Sequence, residues 1–351
     1  MSALNYKSIG YAQAIGIIAV VLGHYPIKPL DVFQPYVFHM PLFYFIGGML
    51  FKHKTITSTA TSICKKHIFY TAYTYIIISI IAIFLNSKFG ANVGRLYVGG
   101  PLDSILNILS NNFHNSYYFL VGWFLFSYAL VSMSCRIILS INNEFILFII
   151  AVAIGYFGMT SVADYYHTTK FQPYNLLSQV MVGSMFYLFG FIFKEITLSI
   201  KSPYIPVVSI IVLFTMKSYG TLIGLGMSWS NYPNGFISHT VSSMLCILSI
   251  FAVTNILSDL SSEFKLLTHI GRESKVIMSY HMLAFTAVDY LFFKLGQFDI
   301  SKTSALSHYK TEHYWYLYAL LGIAIPLTLS YFTDKIKKRH TPQYNSGGIL
   351  S

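Results

Sequence analysis

Between the basic pair Lys65-Lys66 and Lys88, residues 67–85 read HIFYTAYTYIIISIIAIFL. This block contains no Asp, Glu, Lys or Arg, and its length is close to the roughly 20 residues with which a helix crosses about 30 Å of hydrocarbon. A helix on the surface of a soluble protein would instead carry a polar stripe, with charged residues every three or four positions. The block is therefore predicted to span a lipid bilayer.

The composition extends this prediction to the whole chain. Of the 351 residues, 55% are hydrophobic and 10% are charged, whereas about a quarter of the residues in a soluble domain are charged. The chain has more Lys and Arg (23) than Asp and Glu (12), but these basic residues sit at the ends of apolar blocks and form no stripe for nucleic acid. We expect a membrane protein without a nucleic-acid partner.

Ten apolar blocks predict an all-α fold, a polytopic membrane helical bundle of about ten transmembrane helices. The first block resembles a signal peptide in carrying Lys7 ahead of it, but no small-residue cleavage site follows. The predicted spans are Ile9–Tyr25, Val37–Phe51, His67–Leu85, Tyr117–Met133, Phe145–Met159, Leu176–Phe193, Tyr204–Lys217, Phe236–Leu257, Val276–Lys294 and Tyr314–Phe332.

The distribution of basic residues between the spans predicts the orientation. With the N-terminus inside, 15 of the 23 Lys and Arg residues fall on the cytoplasmic side and 8 on the other, as the positive-inside rule requires. Both termini are then cytoplasmic, and the connections Asn86–Ser116 and Gly296–His313, with shorter ones around Tyr166 and Asn231, face outward. Residues 1–333 are predicted to form one membrane domain, and residues 334–351 a short basic cytoplasmic tail.

Two histidines mark the first helical hairpin. His24 ends the first predicted span and His39 opens the second, so a loop of about ten residues brings both imidazoles to one membrane depth near the outer face. A neutral imidazole is a suitable general base for a hydroxyl group, and Asp31 in the loop is placed to orient either ring. The alternative is that both are interfacial histidines bonded to backbone, and these residues alone leave the two interpretations evenly balanced.

The opening hairpin reads AIGIIAVVLGH at residues 14–24 and FHMPLFYFIGG at residues 38–48. These motifs resemble the acyltransferase-3 family of integral-membrane O-acyltransferases, and within it most closely the fucose-4-O-acetylase-like branch. Further similar segments are Lys65-Lys66-His67, Trp123-Phe124-Leu125 and Ile270-Gly271-Arg272-Glu273-Ser274, the last leading to His281. Together they cover nearly the whole chain in order.

The resemblance implies a multi-pass protein of the bacterial cytoplasmic (inner) membrane. Its reaction would move an acyl group, usually acetyl from cytoplasmic acetyl-CoA, onto a lipid-linked or polymeric surface glycan. His24 corresponds to the motif histidine of the family's first span and is the candidate catalytic residue, with His39 supporting it. Acetyl-CoA would act as a substrate, and we expect no tightly bound cofactor and no metal, because Cys64, Cys135 and Cys246 lack metal-site spacing.

One departure from the family concerns donor binding. The family usually has Arg or Lys eleven residues before the motif histidine, where this chain has Gln13. A neutral amide can bond a phosphate but supplies no charge. Lys65 and Lys66 are the candidate substitutes for coenzyme A binding, and the alternative is that they only fix the topology.

Three further residues are candidates for substrate binding, namely Asp31, Trp123 and His281. An aromatic face such as that of Trp123 can stack on a sugar ring, although packing or an interfacial position is the commoner role. His281 is expected in the inner half of the ninth span, with Asp289 two turns further outward. The two would form part of an inner vestibule for the donor or a structural polar pair between helices.

Two functions remain open at this point. The first is a membrane O-acetyltransferase acting on an O-antigen, capsule or exopolysaccharide sugar, in which the donor's acyl arm reaches through the bundle or the acetyl group pauses on His24. The alternative is an exporter of polysaccharide or lipid-linked sugar without acyl transfer. Gln13 favours the exporter, whereas the paired His24 and His39 favour the enzyme.

Overall fold

The structure is a computed structural model and describes residues 3–24, 34–96, 99–260 and 262–340. Over these ranges the chain forms fifteen α-helices and no β-strand. The helices are α1 (Ala3–Gly23), α2 (Pro35–Met49), α3 (Ile56–Ile63), α4 (Phe69–Phe89), α5 (Pro101–Ser110), α6 (Gly122–Ile138), α7 (Glu144–Phe157), α8 (Ala163–Thr169), α9 (Gln172–Ile192), α10 (Lys194–Ser199), α11 (Tyr204–Ser218), α12 (Gly235–Asp259), α13 (Lys265–Arg272), α14 (Ser274–Lys294) and α15 (Thr311–His340).

Eight helical stretches in the described part of the chain are long and apolar enough to cross a membrane, which confirms the predicted polytopic helical bundle. Two other predicted spans coincide with the 15-residue helices α2 and α11, and the total of ten stays a prediction. The eight stretches are Asn5–Gly23, Ile56–Phe89, Tyr117–Ile138, Glu144–Thr169, Gln172–Ile192, Gly235–Asp259, Ser274–Lys294 and Thr311–Thr333.

The third predicted span, His67–Leu85, belongs to a helix that begins earlier than the sequence predicts. Its helix starts at Ile56 and not at His67, because the Thr55 hydroxyl caps it by accepting the backbone N–H of Ser58 at 3.2 Å. A π-helical turn, Cys64–Ile68, then joins α3 to α4. Lys65 and Lys66 therefore lie within a long helix, and not at its first turn.

The last helix crosses the predicted boundary at residue 333. Helix α15 continues to His340, so the first part of the predicted tail extends the final membrane stretch. Residues 341–351 lie outside the described ranges, and the division at 333/334 stays a prediction.

The bundle has a buried centre and a periphery of exposed apolar side chains. Every residue of α2 from Val37 to Met49 is buried, which is typical of a helix that is apolar on all sides and enclosed by others. Helix α1 packs against α2, α12, α13, α14 and α15. In contrast, only 22% of the most apolar window of Ile56–Phe89 is buried, against 67% for Gln172–Ile192, so α4 presents its apolar side chains where lipid would cover them.

Glycines permit the closest helix crossing at this centre. A Cβ atom added to Gly48 of α2 would lie 1.8 Å from the carbonyl oxygen of Tyr187 in α9, and one added to Gly190 would lie 1.9 Å from that of Phe45. Any larger residue at either position would force the two helices apart.

The connections meet at two ends of the bundle, as the predicted alternation requires. Among those predicted to face outward, the Asn92 N–H donates to the Thr303 carbonyl (3.0 Å), and His167 donates to the Ser230 carbonyl (2.9 Å). Among those predicted to face inward, Arg136 donates to the Lys54 carbonyl (2.7 Å). Which end is cytoplasmic stays a prediction.

Candidate active site

Four of the predicted site residues line one cavity of about 160 Å³ near the outward-predicted end. His24 follows α1, His39 lies in the first turns of α2, Trp123 begins α6, and His281 lies in the second turn of α14. We call this the outer cavity; its other lining residues are Val20, Tyr36, Met40, His114, Leu120, Val121, Leu225, Met227, Ser228, Trp229, Met282 and Leu306. Asp31 lies outside the described residues.

Backbone bonds fix the tautomers of two of these imidazoles. The Nδ1 of His281 donates to the carbonyls of Ile277 (3.1 Å) and Met278 (2.8 Å), and that of His39 donates to the Pro35 carbonyl. A neutral ring that donates through Nδ1 keeps a lone pair on Nε2. Each of these two histidines can therefore accept a proton or a hydrogen bond at Nε2.

His24 and His281 lie against each other. Their ring centroids are 5.1 Å apart, with 32° between the planes. The Nδ1 of His24 and the Nε2 of His281 are buried without a hydrogen-bond partner in the described parts of the chain. Buried polar atoms are normally paired, so these two are available to a bound hydroxyl group.

The position of His281 corrects the expectation of an inner vestibule. The sequence gives no register between α1 and α14, and the register is fixed where α13 meets α1: a Cβ atom on Gly271 would lie 2.0 Å from the Gly10 carbonyl oxygen. This close approach brings His281 to the depth of His24, so that it lines the outer cavity.

Asp289 is likewise not a partner of His281. Its carboxylate accepts hydrogen bonds from His308 Nδ1 (2.7 Å), the Tyr318 hydroxyl (2.6 Å), the Tyr309 N–H (3.0 Å) and Thr303. Asp289 thus fastens the loop before α15 to the bundle, which differs from both the inner vestibule and the polar pair with His281 that the sequence suggests.

A second cavity, of about 170 Å³, lies on the side of the inward-predicted end. We call it the inner cavity. Gln13 lines it together with His67 and Lys275; the remaining lining residues are Phe43, Ile46, Leu50, Phe124, Leu125, Tyr128, Ser274 and Met278. Gln13 precedes His24 by eleven residues, about three helical turns and about 16 Å, so the two side chains share one face of α1 and open into different cavities.

Lys275 supplies a positive charge to the inner cavity, although its place at the end of a predicted span suggests only a topological role. Its ammonium group donates to the Lys66 carbonyl and lies 3.8 Å from the centroid of the Tyr70 ring. The side chains of Lys65 and Lys66 are exposed on the π-helical turn and are not among the lining residues. The position of Lys275 in the sequence could have identified it as a site residue, because it directly follows the motif Ile270–Ser274.

About one helical turn separates the two cavities. On α2, Met40 lines the outer cavity and Phe43 the inner one. On α14, Met282 lines the outer cavity and Met278 the inner one. Phe43 and Phe124 line the inner cavity with ring centroids 6.1 Å apart, and Trp123, the residue before Phe124, lines the outer cavity. We call this aromatic boundary the partition. Since one turn rises about 5.4 Å, a group held in the inner cavity needs to pass only a thin apolar layer to reach the imidazoles.

A family profile described as an acyltransferase domain matches residues 6–309. The chain belongs to the acyltransferase-3 family. This acyltransferase-3 protein is therefore a multi-pass membrane acyltransferase, and the matched region contains both cavities. The search of curated proteins and the search of solved structures found no match. Placement in the fucose-4-O-acetylase-like branch stays a prediction, as do the catalytic and binding roles of the individual residues.

Proposed function

We propose that this protein transfers an acetyl group from acetyl-CoA to a hydroxyl group of a surface glycan across the partition between its two cavities. The observation that supports this most is the arrangement along α1. His24 opens into the outer cavity, and Gln13 opens into the inner cavity beside Lys275. One helix thus connects a site suited to proton transfer with a site suited to an anion.

The inner cavity fits the acyl arm of the donor. Lys275 supplies the positive charge that Gln13 lacks, and an ammonium group is a common phosphate ligand in proteins. A volume of about 170 Å³ is below the roughly 300–1,000 Å³ of pockets that enclose whole drug-sized ligands. The cavity would therefore hold the thioester end of acetyl-CoA, with the nucleotide outside at the cytoplasmic surface.

The outer cavity fits the reacting hydroxyl group. His24 would accept the proton of the sugar hydroxyl as its oxygen attacks the thioester carbonyl carbon. The carbon–sulfur bond then breaks, coenzyme A leaves as the thiolate and takes up a proton, and the glycan keeps the acetyl ester. His281, in contact with His24, is placed to orient that ring, and His39 to hold the hydroxyl group.

The test is the O-acetyl content of the surface polysaccharide, measured by proton NMR in four strains. These are the gene deletion and the deletion complemented with wild type, with His24→Ala or with His53→Ala, the last altering a histidine outside both cavities. We expect acetyl signals with wild type and His53→Ala only. If acetylation is equal in all four strains while the amount of surface polysaccharide falls in the deletion, the protein acts as an exporter and this proposal is wrong.

A further inference from the structure

A larger cavity lies directly outside the outer cavity, where four of the outward-predicted connections meet. Its volume is about 550 Å³, and it shares His114, Leu120, Trp229 and Leu306 with the outer cavity. We call it the vestibule. An acceptor that enters through the vestibule passes these four side chains before it reaches the histidines.

An aromatic pair forms one wall of this passage. The indole of Trp229 stacks on the imidazole of His114, with ring centroids 3.8 Å apart and 27° between the planes. His114 is buried, whereas Trp229 is 49% exposed. The indole is thus supported by a ring on one side and keeps half of its surface for a ligand.

Buried amides fix the turn that carries Trp229. The side chains of Asn175 and Gln179 donate to the Ser228 carbonyl at 3.1 and 2.9 Å, and the Ser230 hydroxyl donates to Asn175 at 2.7 Å. Asn175, Gln179 and Ser230 are completely buried. Burying such groups is costly unless each is bonded, so the network holds Trp229 in one place.

The segment before His114 is held by the same network. Asn112 donates to the Gln179 side chain at 2.9 Å. Asn112 (φ 48°) and Phe113 (φ 65°) both have left-handed backbone conformations, which for residues other than glycine cost free energy and are found preferentially at binding sites. The chain therefore sustains strain to place His114 behind Trp229.

The polar groups of the vestibule are uncharged. Its described wall includes the amides of Asn111, Asn115 and Gln172 and contains no Asp, Glu, Lys or Arg. Burial lowers the pKa of His114 to about 4, although the backbone carbonyls of Asn111 and Ser228, as hydrogen-bond acceptors, act in the opposite direction, so this ring is neutral at physiological pH. Amides bond hydroxyl groups well, whereas an anionic sugar would find no counter-charge on this wall.

We propose that Trp229, supported by His114, is the stacking platform of an acceptor subsite for an uncharged sugar residue. The apolar face of the sugar ring would lie on the indole, and the amides of Asn115 and Gln172 would bond its hydroxyl groups. This inference rests on the proposed transfer to a glycan and assigns the chemical class of the acceptor.

The test measures sugar binding without acyl transfer. Saturation-transfer difference NMR on the full chain in nanodiscs uses the methyl glycosides of glucose, galactose and mannose, with methyl glucuronide as the anionic probe. We expect wild type to give signals with at least one neutral glycoside and weaker signals with the glucuronide. Trp229→Ala should weaken binding by about tenfold, while Trp229→Phe keeps most of it.

Trp315→Ala is the matched control, because Trp315 is also partly exposed (37%) and does not line the vestibule. It should bind like wild type, and equal thermal stability of the variants would exclude misfolding as the cause. The proposed sugar platform is contradicted if Trp229→Ala binds the glycosides like wild type, if the glucuronide binds best, or if no probe binds. Failure of the proposed acetyl transfer would appear separately, as unchanged O-acetyl content in the His24→Ala strain.

Discussion

The outer and inner cavities are nearly equal in volume, about 160 and 170 Å³, but differ in chemistry. The described wall of the outer cavity has four imidazoles and no Lys, Arg, Asp or Glu, whereas the inner cavity contains Lys275 with His67 and Gln13. A neutral imidazole can accept the proton of a hydroxyl group, and an ammonium group holds an anion. In the proposed mechanism, this difference separates proton transfer from donor binding on the two sides of one aromatic partition.

The largest effect is expected from removing the imidazole of His24. In the proposed mechanism, His24→Ala should lower kcat by about 100- to 10,000-fold, the usual contribution of a general base. The KM for acetyl-CoA should change little, because the donor is bound in the inner cavity. Steady-state kinetics on purified protein would check this, and a raised donor KM with unchanged kcat would reverse the assignment of the two cavities.

A change at Gly271 tests the close approach of α13 to α1 that sets the register of the two helices. Gly271→Ala would place a Cβ atom 2.0 Å from the Gly10 carbonyl oxygen, and such overpacking costs about 1–3 kcal/mol. Thermal unfolding in detergent should show a lower midpoint. Gly10→Ala is the control, since its Cβ atom would meet nothing within 4 Å; equal midpoints for the two variants would contradict the close approach.

Removal of the positive charge of Lys275 should weaken the binding of acetyl-CoA without slowing the chemical step. We expect Lys275→Gln to raise the KM for acetyl-CoA by about tenfold, as for the loss of a charge-assisted hydrogen bond, with kcat nearly unchanged. Lys66→Gln removes the same charge from an exposed neighbour and should leave the KM unaltered. If Lys66→Gln has the larger effect, the prediction from the sequence is correct and Lys275 is structural.

The smallest effect is expected from restoring a cation at position 13. Gln13→Arg would add a guanidinium to the inner cavity, and the Kd for acetyl-CoA should fall by about threefold. Isothermal titration with acetyl-CoA measures this directly. Loss of binding would instead mean that the cavity is built around the neutral amide and Lys275.

Much of the architecture was predictable because hydrocarbon restricts what can cross it. Uncharged blocks such as 67–85 predicted the spans, and basic residues predicted which connections share an end. The start of α3 at Ile56 was missed because a run of Ser and Thr residues lacks the apolar signal, although Thr55 caps the helix. Helix α15 continues to His340 beyond its apolar stretch, because charged residues can extend a helix past the hydrocarbon, and the division at 333/334 stays a prediction.

The site was predictable where residues lie close in the chain. His24 and His39 lie either side of a short loop, and both line the outer cavity. Lys275, His114 and Trp229 were missed because nothing in their local sequence distinguishes them from a topological charge or loop aromatics. Their positions depend on α14 meeting the π-helical turn and on the Asn175–Gln179 network, which join distant segments.

The sequence by itself determined that this chain is a membrane helical bundle of the acyltransferase-3 family, because apolar block length and local motifs are properties of contiguous residues. Only the tertiary structure decided that His281 meets His24, that Lys275 shares a cavity with Gln13, and that two cavities lie about one turn apart. These are questions of register between helices, and register is fixed by close contacts such as that of Gly271 with Gly10.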